Sequence, residues 1–140
     1  MNDEAGSIAV IGTSWRRGGI ESLARFTLPE GVRAGRLAAI GDATGARELL
    51  YLATCNRVEV VLCGKSARSI DGWRRAVFRI LSGYEPQPGE AERTFRAWRG
   101  EAALRHLLSV AAGLDAAQLG EREIQGQVRA RSEEHTSELQ

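Results

Sequence analysis

The 140 residues hold little that could staple a fold or ligate a metal: two cysteines, two histidines, one methionine, three prolines and, among 19 basic residues, the single lysine Lys65. Cys55 and Cys63 form no CxxC pair, and His106 and His135 have no HxxxH spacing, so the pattern excludes a zinc site. If the cysteines shared one extended strand, eight residues at roughly 3.3 Å each would set them about 26 Å apart. That is far beyond the ~7 Å Cα separation a disulfide tolerates. Long apolar runs are also missing. A stretch such as Val60 to Cys63 cannot span a bilayer, and the acidic opening Met-Asn-Asp-Glu-Ala-Gly lacks the apolar core of a secretory signal. The expectation is a cytoplasmic protein without a membrane partner. A domain of this length buries roughly two-thirds of its unfolded surface and needs no staple.

Charge of one sign is scarce as well. Residues 1–130 carry 18 basic and 15 acidic side chains (+3), and residues 131–140 carry one Arg and three Glu (−2), for the net +1. Such a balance does not by itself demand a nucleic-acid partner. The last ten residues, R-S-E-E-H-T-S-E-L-Q, show no apolar periodicity and match, codon by codon, the translation of a common sequencing adapter. They are expected to be a non-native tail on a domain of residues 1–130, truncated at its C-terminal end. His106 is then the one histidine to consider.

Hydrophobic periodicity predicts the elements. Ser7 to Gly12 reads as a strand, Gly12 to Gly19 as a loop, and Ile20, Leu23 and Ala24 give helical spacing through Phe26. Thr27 and Glu30, with Pro29 between them, suggest a capping box opening a helix that runs to about Ile40. Leu49–Ala53 and Val58–Leu62 are strands separated by the polar insert Thr54-Cys55-Asn56-Arg57. A helix over Ile70–Tyr84, a loop over Glu85–Glu90 and a strand over Thr94–Trp98 follow. A helix over Glu101–Ala112 carries Leu104, Leu107, Leu108 and Ala111 on one stripe, with Gly113 as its stop. Another helix begins near Glu121. The order β-α-α-β-β-α-β-α favours an α+β, ferredoxin-like split-βαβ sandwich: a small antiparallel sheet with helices on one face.

Four consecutive polar residues interrupting an apolar strand pair mark Cys55 as the candidate nucleophile. A nucleophilic cysteine works as thiolate, which a neighbouring cation favours, and Arg57 lies two residues on. Cys63, in V-V-L-C-G, has apolar neighbours and reads as core. His106 is a lone histidine in a leucine-rich helix, a setting more common for a structural hydrogen-bonder than for a catalyst. Gly113 to Val128 holds three glycines with acids and glutamines, and taken alone reads as a helical connection with a solvated face.

Taken together, L-x-T-C-N-R-x-E-V, H-L-L-x-V-A-x-G-L-D and L-G-E-x-x-I-x-G-Q-V resemble the N-terminal catalytic domain of the glutamyl-tRNA reductase family across residues 7–130. The resemblance implies that Cys55 attacks the ester joining glutamate to tRNA, giving a thioester. NADPH then reduces it to glutamate-1-semialdehyde, the entry to tetrapyrrole (porphyrin) synthesis. It implies further that His106 lies near the nucleophile, and that Thr54, Asn56, Arg57, Ala116, Glu121, Arg122, Glu123 and Gln127 shape the substrate pocket. Arg57 would hold a carboxylate.

The chain departs from the family pattern at Ala116, where the family has serine, and at Glu123, where it has glutamine. Trp15 and Gly19 stand where the family has the histidine and proline of N-H-K-T-A-P. No G-x-G-x-x-G is present, and the family places its NADPH domain and its dimerising helices after this domain. NADPH and a homodimer are therefore expectations for the full-length enzyme. The other reading of the residues is a non-catalytic ferredoxin-like module that binds tRNA or protein, or a diverged inactive paralogue.

Overall fold

The computed structural model describes residues 8–64 and 70–113. Its elements run β1 (Ile8–Ser14), α1 (Trp15–Phe26), α2 (Glu30–Thr44), β2 (Ala46–Ala53), β3 (Arg57–Gly64), α3 (Ile70–Ser82), α4 (Glu90–Thr94), β4 (Arg96–Arg99) and α5 (Glu101–Ala111). The strands form one antiparallel sheet in the order β2-β3-β1-β4. Two βαβ units are interleaved, each split by a strand of the other, which is the ferredoxin-like arrangement expected from the element order.

Strand alternation sorts the side chains onto two faces. Val58, Val60 and Leu62 of β3, with Ala9, Ile11 and Tyr51, meet Leu23, Phe26, Ile40, Trp73, Val77, Phe78 and Leu81 of the first three helices. Phe26, Phe78 and Phe95 pack tilted or edge-on, with ring centroids 4.8–5.9 Å apart. The Tyr51 hydroxyl ties this layer to the α1–α2 connection by accepting the Leu28 N–H at 2.8 Å. The opposite face carries Arg57, Glu59 and Val61 of β3 together with Val10, Gly12, Arg96 and Trp98. Ala103 of α5 covers it against Val10 and Val61.

The α+β antiparallel sheet is thus as the sequence implies. The helices do not all share one face as expected: α1–α3 cover one side and α5 lies on the other, because Ala103 and Leu107 bury against the residues that alternate away from the main core.

Several local expectations shift. β1 extends through Thr13 and Ser14, and the loop expected over Gly12 to Gly19 is helical from Trp15, broken at Gly19 with φ 82° and ψ 173°. That positive φ is open to glycine and closed to proline, whose ring fixes φ near −65°. The capping box does not form: the Thr27 hydroxyl donates to the Leu23 carbonyl at 2.7 Å, and α2 starts behind Pro29 without a side-chain cap. The helix α2 runs on to Thr44, where Gly45 closes it in the left-handed conformation. The expected Glu85–Glu90 loop leads into the one-turn helix α4, so β4 begins only at Arg96.

The buried stripe of α5 is one position off the leucines. Ala103 and Leu107 pack on the sheet, His106 meets Glu59 and Val110 is buried, whereas Leu104 and Leu108 are 40% and 69% exposed. Among the described residues no helix is long and apolar enough to cross a membrane.

Candidate active site

The polar insert is a tight reverse turn between β2 and β3, with Cys55 and Asn56 at its tip. Thr54 builds it. Its N–H donates to the Arg57 carbonyl at 2.9 Å, while its hydroxyl oxygen accepts the N–H groups of Asn56 and Arg57 at 3.0 and 3.2 Å. This is the local side-chain bonding by which threonine stabilises turns. The Asn56 carbonyl accepts the Trp15 N–H at 3.0 Å, locking the tip to the start of α1. Cys55 is exposed on this anchored turn, and both cysteines are free thiols. Because the chain reverses here, Cys55 and Cys63 do not share one extended strand.

Behind the turn lies a buried polar group. Arg57 and Glu59, two residues apart on β3, point to the α5 face and pair through Nη1 and Oε2 at 3.2 Å. The same Oε2 lies 2.6 Å from Nε2 of His106 on α5. The Glu59 and His106 side chains are 2% and 8% exposed. The indole of Trp98 stacks on the imidazole, with centroids 3.6 Å apart and planes within 13°. The Arg96 guanidinium lies 5.0 Å above the indole.

The register explains the space for Glu59. Gly12 of β1 is paired with Glu59 on one side and Arg96 on the other. A Cβ at Gly12 would stand 2.5 Å from the Glu59 Cγ and also collide with the Val58 carbonyl oxygen. Glycine here makes room for a carboxylate inside a sheet.

Two sequence expectations need correction at this site. Arg57 directs its Nη1 to Glu59, a partnership that the proximity of Arg57 to Cys55 along the chain did not reveal. Cys63 is half-buried rather than core, because it lies opposite Ile8 and Glu48 on the sheet's less covered side. Burial, and then the nearby Glu48 carboxylate, push the Cys63 thiol pKa up from its ordinary value. Arg57 and His106 come together through Glu59, at the foot of the turn that presents Cys55. Ala116, Glu121, Arg122, Glu123 and Gln127 lie outside the described residues, as do residues 131–140.

Glu59, Trp98 and Gly12 are the site residues that sequence reasoning missed. One signal for Glu59 was available: a charged residue alternating with Arg57 in a strand otherwise made of apolar residues. Among the described residues no group of three or more His, Cys, Asp or Glu side chains could hold a metal ion. Nor do they suit a dinucleotide: the sheet is wholly antiparallel, whereas the pyrophosphate cradle needs a glycine-rich turn between a parallel strand and a helix.

The fold and site define a split-βαβ domain that presents an exposed thiol on a turn backed by a buried Arg–Glu–His group. The family model for the glutamyl-tRNAGlu reductase N-terminal domain matches residues 11–138, and the chain belongs to that family. Similar curated proteins include the glutamyl-tRNA reductase of Syntrophus aciditrophicus, 36% identical over 87% of this chain and 29% of the relative. That of Solidesulfovibrio magneticus is 37% identical over 88% of this chain and 26% of the relative. The glutamyl-tRNA reductase structure from Methanopyrus kandleri superimposes with a TM-score of 0.68 at 25% identity, covering 94% of this chain and 29% of that one. The chain thus spans less than a third of the length of these relatives.

Proposed function

We propose that this domain carries out the thiol half of glutamyl-tRNA reduction, with Cys55 as the nucleophile. The observation that carries the reading is an exposed thiol on a turn pinned by Thr54 and Trp15, adjoining a buried Arg57–Glu59–His106 group. The Cys55 sulfur forms a bond to the glutamyl carbonyl carbon and the ester C–O bond breaks. The thiol's proton ends on the terminal hydroxyl of the released tRNA.

His106 is suited to move that proton. Its Nε2 is committed to Glu59, so exchange runs through Nδ1. On the family's pattern Arg57 would hold the substrate carboxylate through the part of its guanidinium not engaged by Glu59. Asn56 adds an amide at the turn, and the family resemblance alone assigns Ala116, Glu121, Arg122, Glu123 and Gln127 to substrate binding. NADPH supplies hydride in the complete reaction, but the described residues offer it no cradle, and the chemistry assigned to them ends at the thioester. The homodimer and the cytoplasmic location rest on the family resemblance alone.

The test uses glutamyl-tRNA labelled in its glutamate. The chain should acquire protein-bound label as it releases tRNA, Cys55→Ser should abolish the adduct, and Cys63→Ser should keep it. Brief alkylation near neutral pH, read by mass spectrometry, should modify Cys55 ahead of Cys63. The gap should narrow as pH rises, because the raised Cys63 pKa delays its thiolate. Label that survives Cys55→Ser, or equal alkylation of the two thiols, would overturn the assignment and favour a non-catalytic binding module.

A further inference from the structure

We infer that Glu59 is a positioning residue that fixes the tautomer and orientation of His106, an inference resting on the assignment of proton transfer to that histidine. The geometry leaves the ring little freedom. One carboxylate oxygen receives both the Arg57 Nη1, at 3.2 Å, and the His106 Nε2, at 2.6 Å. A carboxylate paired with a guanidinium only accepts hydrogen bonds, so the proton of the neutral imidazole sits on Nε2 and Nδ1 is left as the basic nitrogen. Trp98, stacked 3.6 Å from the ring, holds its plane. Gly12 keeps open the space the carboxylate occupies, since any Cβ there would stand 2.5 Å from the Glu59 Cγ.

Stability alone is a poor reason for this arrangement. Every other described position on the covered stretch of β3 is apolar or, like Arg57, a partner of Glu59. A buried ion pair contributes weakly compared with packed apolar side chains. Glu59 also keeps Oε1 buried without a hydrogen-bond partner among the described residues, which a purely structural pair would have no reason to retain. A third group that orients the base of a nucleophile–base pair accounts for all of these features together. The groups facing His106 are Glu59 and Arg57 from β3 and Trp98 from β4, with Arg96 on the indole beyond.

The experiment compares Glu59→Gln and Glu59→Asp with the unaltered chain. Nitrogen NMR of the imidazoles, with the His106 signals assigned against those of His135 by a His106→Asn variant, reads the tautomer without any substrate. The unaltered chain should show one protonated Nε2 and one bare Nδ1. Glu59→Gln, whose amide can either accept from or donate to Nε2, should mix the two forms and slow thioester formation about 100-fold or more, the usual worth of a placed acid–base group. Glu59→Asp keeps a buried negative charge for Arg57 and so guards against loss of folding, yet it ends one methylene short of Nε2. It should lose the fixed tautomer and the rate while melting near the unaltered chain.

A single Nε2-protonated form in both variants, or thioester formation within about twofold of normal, overturns the role of Glu59 whatever Cys55 does. A mixed tautomer in the variants, in a protein whose unaltered form makes no thioester, overturns instead the reading of Cys55 and leaves the positioning contact standing.

Discussion

The two faces of the sheet are built to different specifications. The face under α1, α2 and α3 is closed by Phe26, Phe78 and Phe95 with thirteen buried aliphatic and aromatic neighbours. The face under α5 has a small apolar patch around Val10, Val61 and Ala103. Beside it lie the Arg57–Glu59 ion pair, His106 hydrogen-bonded to the same carboxylate, and Trp98 stacked on the imidazole. Aromatic burial gives large, non-directional stabilisation, whereas a desolvated carboxylate costs much of what its partners return. The first face therefore supports the strands rigidly enough for the second to carry groups that a stability-driven design would replace. A site whose atoms must be held to a fraction of an ångström benefits from this division, because its supports are locked by packing elsewhere.

The largest consequence falls on the aromatic face. Phe78 is fully buried and touches the rings of Phe26, Phe95 and Tyr84 at centroid distances of 5.1, 5.9 and 5.5 Å. Phe78→Ala should cost about 3–5 kcal/mol by lost transfer energy and cavity formation, read as a fall in the denaturant midpoint at constant slope. A loss below about 1 kcal/mol would mean that this face does not dominate stability, and the contrast would collapse.

A smaller effect, on the other face, should come from Gly12→Ala. The new methyl group meets the Glu59 Cγ, which can yield, and the Val58 carbonyl oxygen, which belongs to the backbone and cannot swing aside. Overpacking of this kind costs roughly 1–3 kcal/mol. The distinguishing outcome is that thioester formation should fall further than stability does, because the displaced carboxylate leaves His106. If Gly12→Ala lowered the melting temperature and left the rate intact, the glycine would serve the sheet and not the site.

Much of this division was legible in the sequence, and the illegible parts share a cause. Short, mostly apolar runs at 49–53 and 58–62 and the helical spacing over 70–84 encode local structure, so the strand pair, the long helix and the ferredoxin-like order could be read directly. The five-residue α4 is too short to show a period. The choice between the leucine stripe and the Ala103–His106–Leu107–Val110 stripe of α5 depends on which side meets the sheet. Composition alone favours the leucines. Within the candidate site, Cys55 stood out because four polar residues break an apolar pair, and His106 because it is the one histidine left once the tail is set aside. Their connection did not: Glu59 and His106 are 47 residues apart, and the register that puts Gly12 beside Glu59 joins strands that no local pattern pairs.

The smallest expected effect sharpens the comparison from the outer side of α5. Leu104 and Leu108, one helical turn apart, stand 40% and 69% exposed, whereas Ala103 and Val110 on the inner side are buried. Exposed aliphatic side chains contribute little to folding, and substitutions at such positions usually fall within about 0.5 kcal/mol. Leu108→Ala should therefore leave the denaturant midpoint within error of the unaltered chain, alanine's high helix propensity offsetting what little apolar contact is lost. The matched change Val110→Ala, at a position 1% exposed, should lower it measurably. If the outward leucine proved as costly as the inward valine, the far side of α5 would be covered in the folded chain. The α5 face would then be a second interior rather than a thin cover over a polar site.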